Sequence, residues 1–125
     1  MGIGAVKGVE IGDGFASARL KGSEHNDGMD ARRFLSNHAG GILGGISNGN
    51  EIMVRIAVKP TASITLPQKT RSVSGDDKTI AITGRHDPCI VPRLMPVAEA
   101  MLALVLFDAW LEQEKYRADI RKNGL

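Results

Sequence analysis

The chain has 125 residues, a formal net charge of +2 and 42% hydrophobic residues, enough for one domain with a core or for a piece of a larger one. The mild charge and the 4% aromatic share argue against a nucleic-acid surface built on phosphate contacts and base stacking. Cys89 is the only cysteine, which rules out an intramolecular disulfide or a cysteine-built zinc cage and fits a reducing cytoplasm.

Met1 to Val6 lacks the basic-then-apolar pattern of a signal peptide. Ala5 to Phe15 reads as a strand ending in a turn at Gly12-Asp13-Gly14. Residues 17–34 are polar and mixed in charge, and read as an exposed excursion with a short helix over Met29 to Leu35. Ile52 to Val58 alternates Ile52, Val54, Ile56 and Val58 with Met53, Arg55 and Ala57, the pattern of a strand with one wetter face. Extended chain over Ser63 to Leu66 should stop at Pro67. Ser74 to Lys78 reads as a hairpin turn between strands at Thr70–Val73 and Thr79–Ile82. Pro96 should open one long helix, to about residue 117, with Glu99 in its first turn. Ala100 to Phe107 is apolar all round and should be buried on most sides, with Met95 and Met101 in the core. The run Ala98 to Trp110 is broken by Glu99 and Asp108 and reads as too short to span a bilayer. A polar tail, expected to be disordered, follows from about residue 118.

Three stretches carry chemistry. Asn37 to Gly49 holds two Gly-Gly pairs and a Ser-Asn-Gly. It is neither a Walker loop nor a dinucleotide fingerprint. Its glycines either let backbone approach a planar or anionic ligand or permit a tight chain crossing. Lys59-Pro60-Thr61-Ala62-Ser63-Ile64-Thr65 sets a point charge, a stiffening proline and three hydroxyls at a strand end. That set suits phosphate, and it also suits an ordinary strand-end loop. Thr83-Gly84-Arg85-His86-Asp87-Pro88-Cys89 concentrates a guanidinium, an imidazole, a carboxylate and a thiol on backbone shaped by Gly84 and Pro88. Arg85 suits phosphate or carboxylate. Asp87 is an ion partner of Arg85 or His86, or an acid/base group when a ligand displaces that partner. Arg93 is a further anion candidate or a salt bridge at the helix entry. Cys89 reads as a packing residue rather than a nucleophile. His25, His38 and His86 lack metal-ligand spacing, so no metal site is expected.

Taken together, Ala5–Phe15, Ser36–Ser47, Lys59–Ile64, Gly84–Cys89 and Pro96–Met101 strongly resemble the C-terminal part of chorismate synthase, to about Leu111. The resemblance implies an α+β fold, a portion of that family's helix-and-antiparallel-sheet sandwich spanning residues 1–125 and ending in a long buried helix. It implies a lyase that converts 5-enolpyruvylshikimate 3-phosphate to chorismate and phosphate with reduced FMN, in the shikimate pathway of aromatic amino-acid synthesis. By the same resemblance, Gly44, Lys59, Pro60, Thr61, Ala62, Ser63 and Arg85 are cofactor-binding and Asp87 is catalytic, assisting proton transfer at the flavin ring. Ala62 stands where many relatives have serine, and Gln68 where a glycine is common. The resemblance further implies a homotetrameric, cytoplasmic parent with no nucleic-acid or membrane partner.

The family's two catalytic histidines and its arginine-rich substrate and NADP-side motifs have no counterpart in these 125 residues. Met1 falls where relatives have an internal methionine. The expectation is a truncated chain, inactive by itself. The alternative is a non-catalytic flavin- or phosphate-binding fragment, or a module that docks on a partner chain.

Overall fold

The computed structural model describes residues 1–122, in two units, Met1–Lys59 and the chain from Pro60 onward. The first unit runs β1 (Val6–Ile11), a 3-10 helix (Gly14–Arg19), α1 (Gly22–His25), β2 (Ile42–Leu43), β3 (Ile46–Ser47) and β4 (Val54–Val58). Strands β1 and β4 pair antiparallel, with a bulge between Val6 and Gly8. The register sets Val6 opposite Val58, Val9 opposite Ile56 and Ile11 opposite Val54. The expected alternation of β4 therefore has a matching set of apolar residues on its partner. Glu10 and Arg55 are also opposite each other, and the guanidinium lies 3.4 Å from the carboxylate.

The expected helix over Met29 to Leu35 is absent. Met29 and Phe34 instead form an isolated antiparallel bridge. Asp30 Oδ1 accepts the backbone N–H groups of Arg32 and Arg33, both at 2.8 Å. A side chain that captures these donors closes a tight turn in place of a helical one. The short helix of this excursion is α1, where Glu24 accepts the Lys21 N–H at 2.8 Å.

In the second unit, β5 (Gln68–Arg71) and β6 (Asp77–Ile80) form the expected hairpin, each beginning two residues earlier than the sequence suggests. Residues 63–66 are not a strand. The long helix α2 spans Val91–Lys122 and opens five residues before Pro96. Pro92 occupies the early position that tolerates a missing N–H, and Ile90 O receives the N–H groups of Arg93 and Leu94, each at 3.0 Å. Pro96 lies inside the helix, leaves the Pro92 carbonyl without its i→i+4 donor, and does not end it. Glu99 is consequently outside the first turn. The tail expected to be disordered from about residue 118 is instead helical as far as Lys122, because α2 continues without a break, and residues 123–125 lie outside the described residues.

The elements are mixed helix and small antiparallel sheets with a long C-terminal helix, an α+β arrangement. Among the described residues only Val6 and Leu94 are buried hydrophobics. The expected burial of α2 is thus not met within this chain: Leu104, Phe107 and Trp110 are 66%, 56% and 52% exposed. Met95 and Met101 are exposed as well. The physical reason is the absence of a facing layer, since the other elements of this unit form only a two-stranded ribbon. Nor is the apolar stretch too short for a bilayer, since Val91–Arg117 is long and apolar enough to cross one by length and composition. A helix apolar on every side is the mark of burial in either lipid or protein.

Candidate functional site

The glycine-rich stretch divides between the two roles that its sequence left open. Gly40 has φ +64°, and a Cβ there would lie 2.2 Å from Gly12 N. Gly12 returns the constraint, with a Cβ position 2.1 Å from His38 O. Gly41 would meet Glu51 O at 2.5 Å. These glycines are a backbone crossing, fastened by Asp13 N donating to His38 O at 2.9 Å and Met53 N donating to Gly40 O at 3.1 Å. Gly44 and Gly45 differ. They join β2 to β3 with φ +57° and +82°, the two positive angles of a type I′ hairpin turn. Among the described residues nothing lies within 4 Å of a Cβ at either position. Gly44 therefore presents bare backbone to open space, as a close-approaching ligand requires.

Beside the crossing lies a polar network that the sequence did not announce. Asp27 accepts the His38 N–H at 2.8 Å, the Ala39 N–H at 3.0 Å and the Ser36 hydroxyl at 2.7 Å. Burial pushes its carboxyl up, but the Ala39 N–H, the Ser36 hydroxyl and the His38 N–H together hold it below the usual value. His38 Nδ1 is 2.7 Å from Asp13 Oδ2, and the His38 ring lies 5.3 Å from that of His25, whose Nε2 bonds Ser17 Oγ at 2.8 Å. This network ties the excursion to the turn after β1, so His38 has a structural task. The one available signal was Asp27 itself, a carboxylate directly before a glycine in a polar loop.

Lys59 ends the first unit, where its N–H donates to Ala5 O at 2.9 Å and its side chain stays exposed. Pro60, Thr61, Ala62 and Ser63 begin the second unit in irregular chain. Thr61 Oγ1 is shielded from water without a hydrogen-bond partner among the described residues. A hydroxyl left this way stands ready for an acceptor or donor from outside the chain.

Further along the second unit, Gly84 has φ +129°, a conformation that excludes other residues in practice. It brings Arg85, His86 and Asp87 to the rim of a shallow depression that Arg93, in the first turn of α2, completes. Asp87 pairs with Arg93 at 3.0 Å rather than with Arg85 or His86. Arg85 has no carboxylate partner among the described residues. Cys89 is exposed and so is not the packing residue expected, since no layer covers the loop that carries it among the described residues. No group of three or more potential metal ligands occurs among the described residues.

Of the residues singled out from the sequence, Gly44 and Lys59 thus belong to the first unit. Pro60, Thr61, Ala62, Ser63, Arg85 and Asp87 belong to the second. The depression brings together Arg85 and Asp87 and adds Arg93 as the carboxylate's partner. Among the described residues, the second unit thus holds Arg85 without a carboxylate partner beside Asp87, which is held by Arg93. A family model described as chorismate synthase matches residues 1–111, and the chain belongs to the chorismate synthase family. By family this places it among lyases of the shikimate pathway. The family uses reduced flavin. The residues present fit the phosphate end of such a group, in that among the described residues Arg85 has no carboxylate partner and Thr61 Oγ1 no hydrogen-bond partner.

Proposed function

We propose that this chain supplies the flavin- and phosphate-binding residues for conversion of 5-enolpyruvylshikimate 3-phosphate to chorismate and phosphate. In that reaction a carbon–oxygen bond to phosphate and a ring carbon–hydrogen bond both break, and a ring double bond forms. When bound, reduced FMN supplies an electron-rich ring that eases departure of the allylic phosphate. The cofactor-binding residues are Gly44 and Lys59 in the first unit and Pro60, Thr61, Ala62, Ser63 and Arg85 in the second. Gly44 offers backbone N–H and carbonyl groups without steric bulk, Lys59 and Arg85 offer charge, and Thr61 and Ser63 offer hydroxyls. Among the described residues Asp87 is the acid that lines its depression, and it is the group that accepts or returns a proton.

The observation that carries this reading is the division of labour at the depression, where Asp87 is held by Arg93 while Arg85 is left for a ligand. The depression is open to solvent and does not exclude water, so the chain alone is expected to have no turnover. The active assembly is a cytoplasmic homotetramer in this reading, with α2 covered by protein rather than lipid. The test is a titration of the purified chain against FMN, read by flavin fluorescence. Saturable quenching that weakens in Arg85→Ala is expected. Absence of saturable quenching at high protein concentration removes the binding role.

A further inference from the structure

Arginines 85 and 93 line the same depression, and only one of them is matched to the carboxylate between them. Arg93 Nη1 lies 3.0 Å from Asp87 Oδ2. Its backbone is fixed by the first turn of α2, through the bond from Arg93 N to Ile90 O at 3.0 Å. Arg85 and Asp87 are two residues apart in irregular chain and line the same depression, so Arg85 is the other arginine that a freed Asp87 carboxylate would face there. A neutralised Arg85 would be a poor anion site, because a bidentate carboxylate competes for the same planar fork.

We propose that Arg93 is a positioning residue, which holds Asp87 away from Arg85 and so keeps the Arg85 guanidinium open to the ligand's phosphate. This deepens the function proposed above and rests on it. Arg93 need not touch the anion. Its side chain is 75% exposed and that of Asp87 35%, so the pair is a rim contact whose value lies in which partner Asp87 takes rather than in stability.

The test uses the full chain and inorganic phosphate as the probe, read through the Nε–Hε resonance of Arg85 in 15N-labelled protein. Wild type should show a saturable shift of that resonance. Arg93→Gln should bind phosphate about two- to fivefold more weakly, the equilibrium factor of an exposed ion pair newly formed between Asp87 and Arg85. Arg93→Lys, which keeps a cation for Asp87, should recover most of the wild-type affinity. The decisive variant is Asp87→Asn with Arg93→Gln. It removes one charge of each sign, leaves the local net charge unchanged and takes away the competitor. It should bind phosphate as well as wild type.

If the double variant stays as weak as Arg93→Gln, Arg93 is itself a phosphate ligand and the positioning role is wrong. If Arg93→Gln binds like wild type, the role is equally wrong while the anion site stands. If wild type gives no saturable shift, the anion site fails and this inference with it. The helical circular dichroism of each variant identifies any that fail to fold. For such a variant, the comparison passes to Arg93→Lys and to Asp87→Asn alone, which should bind phosphate at least as tightly as wild type and overturns the proposal if it binds more weakly.

Discussion

Gly40→Ala should unfold the first unit, whereas Gly44→Ala should leave it folded. At Gly40 the new Cβ would lie 2.2 Å from Gly12 N and 2.5 Å from Gly12 Cα, and the backbone would hold a left-handed φ of +64°. The conformation alone costs about 1–2 kcal/mol for a residue with a side chain. Relieving the overlap moves one strand of the crossing off the other. That breaks Asp13 N–His38 O at 2.9 Å, Gly12 N–Met53 O at 3.0 Å and Met53 N–Gly40 O at 3.1 Å. Each such bond contributes about 0.5–1.5 kcal/mol net, so the whole loss is roughly 2.5–6.5 kcal/mol. A domain with ordinary stability of about 5–15 kcal/mol would lose much of it, and a ribbon with Val6 as its buried hydrophobic would lose all. At Gly44 the φ of +57° carries the same conformational cost of about 1–2 kcal/mol, but a Cβ there would meet nothing within 4 Å among the described residues. Amide hydrogen exchange followed by 1H–15N spectra separates the two. Gly12 and Met53 amides should lose protection in Gly40→Ala and keep it in Gly44→Ala. Unchanged protection in Gly40→Ala would refute the backbone crossing and return these glycines to a purely ligand-facing role.

Asp27 has its pKa lowered from the ordinary 3.8, so its contribution to stability is complete above that value and disappears as pH falls through the lower folded value. Unfolding midpoints measured from pH 5 to 2 should therefore drop more steeply in wild type than in Asp27→Asn, and parallel curves would deny Asp27 that role. The exposed α2 side chains, Leu104, Phe107 and Trp110 among them, should drive self-association at high concentration, which light scattering reports. A monodisperse monomer would count against that. Purified chain with reduced FMN and 5-enolpyruvylshikimate 3-phosphate should form no chorismate. Measurable product in a coupled absorbance assay would overturn the claim that more protein is needed to close the site.

Much of the architecture was legible because it is written locally. The alternation of Val54, Ile56 and Val58 and the Gly12-Asp13-Gly14 turn place β1 and β4, and Ser74-Gly75-Asp76 places the β5–β6 hairpin. Features decided by competition were harder to read. Asp30 takes the N–H groups of Arg32 and Arg33, which turns an apparent helix into a bridge. Pro92 and Pro96 both suit a helix start, and only the Ile90 carbonyl shows which one begins α2. The apolar stretch of α2 has the pattern of a buried core helix, yet periodicity reports what a surface prefers and not whether a layer is present to cover it. The site shows the same division. Arg85, His86 and Asp87 are neighbours in sequence, so their convergence was visible, whereas the choice of Arg93 as Asp87's partner needed α2's starting point. The roles of Gly40 and Gly44 differ by what faces each of them, which no spacing of glycines encodes.

In the function proposed above, the chain recognises phosphate through Arg85 and the loop from Lys59 to Ser63. The most direct measurement compares FMN with riboflavin, the same ring system without the phosphate, by fluorescence titration of the purified chain at moderate salt. Charge-assisted hydrogen bonds to a phosphate contribute about 1.5–3 kcal/mol, so FMN should bind at least about tenfold more tightly. Equal affinity for the two flavins, or tighter binding of riboflavin, would contradict the anion site.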